Sequence, residues 1–591
     1  MMGRSSRRNP ISKPSTRLSQ YLIPHRKEIV ATFVCAMVTV GANLAMPVVI
    51  RWVIDGLIEG TLTRELLWQY LGAFLLIGVV SLAFSRWLRQ IPQKMSHKIE
   101  YELRRDVFAH LTTLDQEYYR SERTGDLMTR MSSDINIIRD SIGQGFLQGT
   151  RTITVIVFAS IVMGIADAQL AGIVIALFTP MVLIFFLILR VMRRHQQALQ
   201  EHVSEVSNYS QESFSGIRCL KGFALERRRN AAFADLNSGL INKTMRMQGT
   251  RQSLFPFMAF WFNLGTILIF IVGGKKIMQG ELTVGTLTQF IQYLLYMQWP
   301  LLALSWVLSL TQRGKVSWIR VREILERESS LEHRTSNVEL RPSNGDIRFE
   351  GVELEIEDRT FLSGINLDIA EGTTLGITGP TGSGKTLLVS LVARLMDPTQ
   401  GAVKIGGSDI RDISLNALRG VIGFAAQEPV LFSRTLEHNI GFGVVDADME
   451  TIGWAADIAH LHHDVLDFPD QYQTMLGERG VTLSGGQRQR TSISRAIARR
   501  PRILVLDDVL SAVDTQTEAA IMEKLQPVMA ERTTLFVSHR VSTLRYADEV
   551  IVIEDGRITQ RGTHEELIRQ PGYYSELNTM QQLEERLEGD S

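Results

Sequence analysis

The chain has 591 residues, a formal net charge of zero and 45% hydrophobic residues, so it can hold several domains of about 100–200 residues each. Its two cysteines, Cys35 and Cys219, exclude a disulfide framework and suit a reducing compartment for the soluble parts. The balanced charge hides a division: up to about residue 310 long apolar runs alternate with basic stretches, and after about residue 340 the chain reads as a soluble α/β domain.

Residues 1–28 are basic and polar, too long for the usual start of a signal peptide, and no small-x-small cleavage site follows. The first apolar run is therefore expected to stay in the mature protein. Six runs approach the roughly 20 apolar residues a helix needs to cross a bilayer core. They are Ile29–Ile50, Leu66–Ser85, Thr152–Ile165, Leu170–Leu189, Leu254–Val272 and Thr288–Leu310, the third being short as drawn and extending back toward Phe146. As drawn, none contains Asp, Glu, Lys or Arg, which the cost of charge in lipid explains.

The connections are unequal. About 65 residues separate runs two and three, and again runs four and five, whereas Ala166–Gln169 alone joins runs three and four. Both long connections are rich in Arg and Lys, so they and both termini are expected on the cytoplasmic side. Their apolar periodicity and scarcity of Pro predict helical arms that continue the spans well beyond the membrane. A break is expected at Arg123–Asp126 in the first arm and at Ser215–Arg218 in the second. These tips would touch the soluble α/β domain that follows. The organisation expected is a cytoplasmic segment 1–28, a transmembrane domain 29–322, a linker 323–345, an α/β domain 346–580 and a helical tail 581–591 without assigned chemistry.

Within the α/β domain, Gly379-Pro380-Thr381-Gly382-Ser383-Gly384-Lys385-Thr386 fits the phosphate-loop pattern, between a strand predicted at Thr374–Thr378 and a helix predicted at Leu387–Leu395. Glycines let several backbone N–H groups converge on phosphates, and the following helix adds its positive end. Lys385 can reach the β- and γ-phosphates, and the Thr386 hydroxyl can ligate Mg²⁺. The run Ile503–Leu506 ends in Asp507, a carboxylate at the carboxyl end of a buried strand where it can hold the metal. Upstream, Ser484-Gly485-Gly486-Gln487 opens a helix and forms a second anion-binding N-terminus. Two half-sites for one phosphate group on one chain imply that two such domains meet head-to-tail.

These features together resemble an ATP-binding cassette (ABC) exporter half-transporter, in particular the MdlA-like or BmrC-like subunits of heterodimeric bacterial multidrug exporters. The resemblance covers essentially the whole chain. It implies a helical membrane domain with six transmembrane helices and long cytoplasmic extensions, followed by an α/β P-loop ATP-binding cassette domain, with ATP and Mg²⁺ as cofactors. It also implies roles for residues that match the family motifs. Gln427 would be the Q-loop residue, sensing the γ-phosphate and helping to hold Mg²⁺. Ser511–Asp514 would be the D-loop, His539 the switch histidine, and Gly477–Gly480 the segment that couples to the arms. Arg123–Leu127 and Glu212–Glu226 resemble the family's coupling regions.

Two positions depart from the family pattern. The family's general base is a Glu after the Mg²⁺ Asp, and here it is Asp508. One fewer methylene withdraws the carboxylate by more than ~1 Å, a misplacement that can cost a hundredfold in rate. Where the family stacks adenine on a Tyr, the alignment places Ile356. Together they suggest a site that holds ATP and hydrolyses it slowly, beside a different partner half that carries the competent site; a homodimer tolerating Asp508 is the alternative. The spans carry many aromatic and Met residues, among them Phe185, Phe257, Trp261 and Trp299, which suit hydrophobic or amphipathic drugs or lipids. An efflux pump in the bacterial cytoplasmic membrane is expected, in contact with lipid and without a nucleic-acid partner. A lipid flippase, or a regulatory ATP-binding subunit that transports nothing, are the alternatives.

Overall fold

The structure, a computed structural model, describes residues 16–331, 344–357, 359–477 and 483–589. The chain divides into two compact units, Met1–Thr113 with Arg123–Arg327, and Leu114–Glu122 with Glu328–Ser591.

The first unit is helical. Among the described residues, six helices are long and apolar enough to cross a membrane: Leu18–Ile58, Arg64–Leu111, Thr124–Ala166, Ala168–Ser215, Glu226–Met278 and Val284–Glu326. Each contains one of the six predicted runs. The two 48-residue helices, Arg64–Leu111 and Ala168–Ser215, are about 72 Å long at ~1.5 Å per residue, more than twice the ~30 Å of a hydrocarbon core. Many large apolar side chains on the second helix are exposed, including Leu71, Leu75, Leu76, Val79 and Leu82. An exposed apolar face of this extent belongs against lipid or protein, not water.

Polar groups fix the short turns between spans. Asp167 caps the helix Ala168–Ser215 by accepting from the Leu170 N–H at 2.8 Å, and its other oxygen accepts from Lys276 Nζ at 2.5 Å. Asp55, near the end of the first span, accepts from the Gly285 N–H at 2.8 Å and the Thr283 hydroxyl at 2.9 Å. Between these ties lies a core of Val40, Val155, Met163, Phe262, Phe290 and Tyr293, all buried.

Three expectations about this unit change. The third span extends back to Phe146 as expected, but its helix from Phe146 to Ala166 takes in Arg151, so the expectation of charge-free runs fails there. Two π-turns, Arg130–Asp134 and Ser141–Gly145, precede it without breaking the rod. The first arm does not break at Gly125, which lies inside the short helix Thr124–Thr129. It breaks at Thr112–Asp115 and at Glu122–Arg123, on either side of the helix Gln116–Ser121, which Asp115 caps by accepting from Tyr118 N–H at 3.0 Å. Here the Asp115 cap, not a glycine, sets where the next helix begins. Third, the last helix of the unit continues to Glu326, into the expected linker 323–345, of which residues 332–343 lie outside the described residues. The second break falls as expected, at Gly216, followed by the short helix Ile217–Gly222.

The second unit is built on two sheets. Strands β1 (Ile347–Ile356), β2 (Arg359–Ile369), β3 (Thr374–Thr378), β4 (Gln400–Ile405), β5 (Ser408–Asp409), β6 (Ile422–Ala425), β7 (Ile503–Asp507), β8 (Thr533–Val537), β9 (Glu549–Glu554) and β10 (Arg557–Gly562) follow in chain order. A four-stranded antiparallel sheet has the order β2-β1-β4-β5, and a six-stranded sheet the order β10-β9-β3-β8-β7-β6. In the larger sheet β9, β3, β8, β7 and β6 run parallel and only β10 is antiparallel. Every residue of β3, β7 and β8 is buried, as strands covered on both faces require. Alternate residues serve opposite faces: Leu504, Leu506 and Phe536 enter one core cluster, and Ile503, Val505, Leu535 and Val537 the other.

Candidate nucleotide-binding site

The carboxyl ends of β3, β6, β7 and β8 lie on one edge of the parallel sheet, the edge where ligands bind in open α/β folds. Each strand delivers one predicted element there. β3 leads into Gly379–Thr386, β6 into Gln427, β7 into Asp507 and Asp508, and β8 into His539. A cavity of about 210 Å³ is lined by Thr381, Gly382, Gly384, Lys385, Thr386, Gln427, Asp507, Asp508 and His539, together with Phe361, Leu387 and Val537.

The loop is shaped by its glycines at two positions. Gly379 has φ +146°, and a Cβ there would lie 2.0 Å from the Ile553 carbonyl oxygen; Gly384 has φ +103° and opens the helix Lys385–Val392. Any other residue would push the loop off the sheet or strain it. Lys385 is buried, and its ammonium donates to the Gly379 and Pro380 carbonyls, each at 2.8 Å. Burial pushes its pKa down, while Asp508 and Asp507 pull it back up. Ser383 is also buried, with a side-chain oxygen that has no protein partner.

Thr386 Oγ1 donates to Asp507 Oδ1 at 3.1 Å. Burial pushes the Asp507 carboxyl up to about 6, against the Thr386 hydrogen bond, and the neighbouring Asp508 charge adds to the rise. A buried carboxylate and a hydroxyl side by side, with an amide opposite, make a hard oxygen-rich set that fits Mg²⁺, an ion usually completed by phosphate oxygens and water. Mg²⁺ could be held by Thr386 and Asp507, with Gln427 at the rim. Asp508 adopts the left-handed region, φ +48°. Its N–H donates to the Val537 carbonyl at 3.1 Å and its Oδ2 lies 3.4 Å from Gln427 Nε2. Burial raises the Asp508 pKa, opposed by His539, Gln427 and Lys385. Burial, then Lys385, push the His539 imidazole down, so it is neutral near pH 7 and can donate from one nitrogen while accepting at the other.

Two groups of predicted residues stand apart from this cavity. Ile356, at the end of β1, packs against the core behind the smaller sheet and does not line the cavity. The aromatic that does is Phe361 on β2, which carries the Arg359 guanidinium 5.4 Å from its ring centroid. Ser484, Gly485, Gly486 and Gln487 are also absent from the lining. Ser484 and Gln487 form a reciprocal cap on the helix Gly485–Ala498: Gln487 N–H donates to Ser484 Oγ at 3.2 Å, and Ser484 N–H to Gln487 Oε1 at 3.0 Å. Gln489 ties this helix to the segment after β7, donating to Ser511 Oγ at 3.0 Å and accepting from Ala512 N–H at 2.9 Å. Of the expected coupling segment Gly477–Gly480, residues 478–480 lie outside the described residues.

One contact had no signal in the sequence. Gln581, in the helix Tyr573–Gly589, donates from Nε2 to the His539 carbonyl at 2.6 Å and accepts at Oε1 from the Val541 N–H at 2.9 Å. The expected tail from 581 thus begins with a residue that clamps the backbone on both sides of Arg540, next to His539.

The sequence matches the ABC transporter transmembrane region over residues 29–301 and the ABC transporter family over residues 362–511. An Escherichia coli (strain K12) protein named multidrug resistance-like ATP-binding protein MdlA is 34% identical over 559 residues, covering 92% of this chain and 93% of its own. Two Bacillus subtilis (strain 168) proteins are similar over 96% of this chain. YknU, an uncharacterized ABC transporter ATP-binding protein, is 32% identical over 97% of its length; YgaD, a putative multidrug export ATP-binding/permease protein, is 30% identical over 99%. The fold matches a bacterial Atm1-family ABC exporter with ATP bound, with a TM-score of 0.79 at 24% identity, over 94% of this chain and 98% of that one. With six membrane-crossing helices and a phosphate loop at the edge of a parallel sheet, the chain belongs to the ABC transporter family, as a multi-pass half-transporter whose ATP-binding domain is an ATPase coupled to transport.

Proposed function

We propose that this chain is one half of a heterodimeric exporter that moves hydrophobic or amphipathic compounds out through the cytoplasmic membrane, and that its own ATP site holds Mg-ATP but turns it over slowly. The membrane reading follows the six helices and the multidrug names of the relatives. The Arg- and Lys-rich long connections support cytoplasmic termini and arms.

The observation that carries the asymmetric reading is Asp508 in the position of the base. A general base must come within about 2.6–3.2 Å of the attacking water, directly or through one more water. Asp508 is short, its backbone is fixed by Val537, and its carboxylate faces Gln427. Lys385 is held by two carbonyls and so is already oriented when a γ-phosphate arrives. Thr386 and Asp507 would hold Mg²⁺, which neutralises charge between the β- and γ-phosphates when bound. Neutral His539 would donate to the γ-phosphate. These groups suffice to bind, and Asp508 is the weak member for hydrolysis. The intact Ser484-Gly485-Gly486 segment stands outside this cavity and would complete the nucleotide site of the partner half-transporter.

The test is steady-state ATPase activity of the purified assembly. Ser484→Arg should remove most turnover, about tenfold or more, while Asp508→Ala should cost no more than about threefold because it alters a slow site. Ser484→Thr retains the helix cap and should restore activity if folding alone were at fault. Equal damage from Asp508→Ala and Ser484→Arg would make Asp508 a working base and end the asymmetric reading.

A further inference from the structure

The helical unit contains a cavity of about 600 Å³ walled by Phe146–Ala166 and Val284–Glu326, with Gln148, Arg151, Thr152, Tyr296, Trp299 and Trp306 in its lining. That volume falls within the range of pockets for drug-sized ligands. Its position along the spans follows from the helices. Arg151 precedes Ala166 by fifteen residues and Trp299 follows Val284 by fifteen. Both therefore lie about 22 Å from the short-loop ends of their helices, at one level inside a core of ~30 Å.

A cation at this depth is costly unless something compensates it. Two cations near the short-loop ends are matched: Lys276 lies 2.5 Å from Asp167, and Arg51 3.5 Å from Asp55. Arg151 is exposed, and among the described residues no carboxylate pairs with it. Around it the wall is amphipathic. Trp299 is 70% exposed and Trp306 43% exposed, offering broad apolar faces. The Tyr296 hydroxyl is held by Asn43 Nδ2 at 3.1 Å, and Asn43 in turn accepts from the Ser81 hydroxyl at 2.7 Å. Pro300 has no N–H, so the carbonyl one turn before it, on Tyr296, loses its helical donor.

From this juxtaposition we infer that the cavity is a binding site for amphipathic anions, with Arg151 pairing the negative headgroup and Trp299 and Trp306 covering the apolar body. The inference rests on the export reading and names the class of cargo. A guanidinium is always charged and forms paired hydrogen bonds with carboxylate, sulfonate or phosphate oxygens, and its attraction is strengthened where water is scarce. The same charge repels cationic amphiphiles of equal size. The site therefore selects by charge, whereas the aromatic walls select only by shape. The anion's source is either a lipid headgroup or a free compound dissolved in the bilayer.

The experiment uses two ions of nearly equal shape and opposite charge, tetraphenylborate and tetraphenylphosphonium. Binding to the purified assembly is measured by dialysis in phosphatidylcholine nanodiscs, with empty nanodiscs subtracted. The wild-type protein should prefer the borate by about tenfold or more, Arg151→Gln should abolish that preference, and Arg151→Lys should keep most of it. The preference of the wild-type protein stands as a test even where Arg151→Gln does not assemble. Trp299→Ala should weaken both ions alike. Phosphatidylglycerol that displaces the borate assigns the site to lipid headgroups, and failure to displace it assigns the site to free amphiphiles. Equal binding of the two ions, or unchanged borate binding in Arg151→Gln, overturns the inference. If the phosphonium ion stimulates ATP turnover and the borate does not, export stands and only the charge selectivity fails. If no amphiphile of either charge binds or stimulates turnover, the export reading fails with it.

Discussion

Asp507 offers a quantitative test of the metal site, because its carboxyl is pushed up to about 6 by burial, with a further rise from the Asp508 charge and a counteracting hydrogen bond from Thr386. The sign is fixed by the chemistry. Mg²⁺ binds the carboxylate, so a proton on Asp507 competes with it. With a midpoint near 6, the carboxylate is about nine-tenths ionised at pH 7 and about one-tenth at pH 5, so Mg²⁺ affinity should fall by about tenfold across that interval. Removing the neighbouring charge by Asp508→Asn should lower the Asp507 pKa and move the fall to lower pH. Thr386→Val should move it to higher pH, as well as weakening the metal directly. The assay is titration of Mg²⁺ into the ATP-loaded assembly at half-unit steps from pH 5 to pH 8. Protonation of the nucleotide is common to all variants, so the differences between curves report the protein. The same linkage has a consequence for folding. A carboxyl whose pKa is raised in the folded state costs no stability below its unfolded value of 3.8, and the cost grows as pH rises through the interval to about 6, above which it is complete. If Asp508→Asn and the wild-type protein show the same midpoint, Asp507 is not the titrating ligand and the proposed metal set is wrong.

Gln581→Ala should speed amide hydrogen exchange at Val541 without weakening ATP binding, because it removes two hydrogen bonds that hold the backbone at His539 and Val541. At about 1 kcal/mol per net hydrogen bond the local clamp loses up to ~2 kcal/mol, and wild-type exchange at Val541 in this variant would show that the helix does not hold this backbone. Phe361→Ala should raise the Kd for ATP by about two- to tenfold, the scale of an aromatic contact, while Ile356→Ala should leave it nearly unchanged. The reverse order would place the adenine against β1.

Much of the architecture was legible because it is local. Six apolar runs, a strand–loop–helix phosphate motif and a carboxylate after four apolar residues each record their purpose within about two dozen positions. The gathering of Lys385, Gln427, Asp507, Asp508 and His539 on one cavity follows from parallel strands that all present their carboxyl ends to one edge. What the sequence by itself could not determine depends on where separate elements meet. Phe361, not Ile356, faces the nucleotide cavity because β2 carries it to the loop, while Ile356 turns to the core. Gln581 lies 42 residues from His539 and reaches it only because the last helix returns to the sheet edge. The first arm breaks around a helix capped by Asp115, whose other oxygen accepts from Ser329 at 3.1 Å, 214 residues away. Arg151 lies in the third span, and its place in a cavity wall is set by the packing of Phe146–Ala166 against Val284–Glu326. Hydropathy records which segments enter a membrane; only tertiary packing decides which of their charges find a protein partner there.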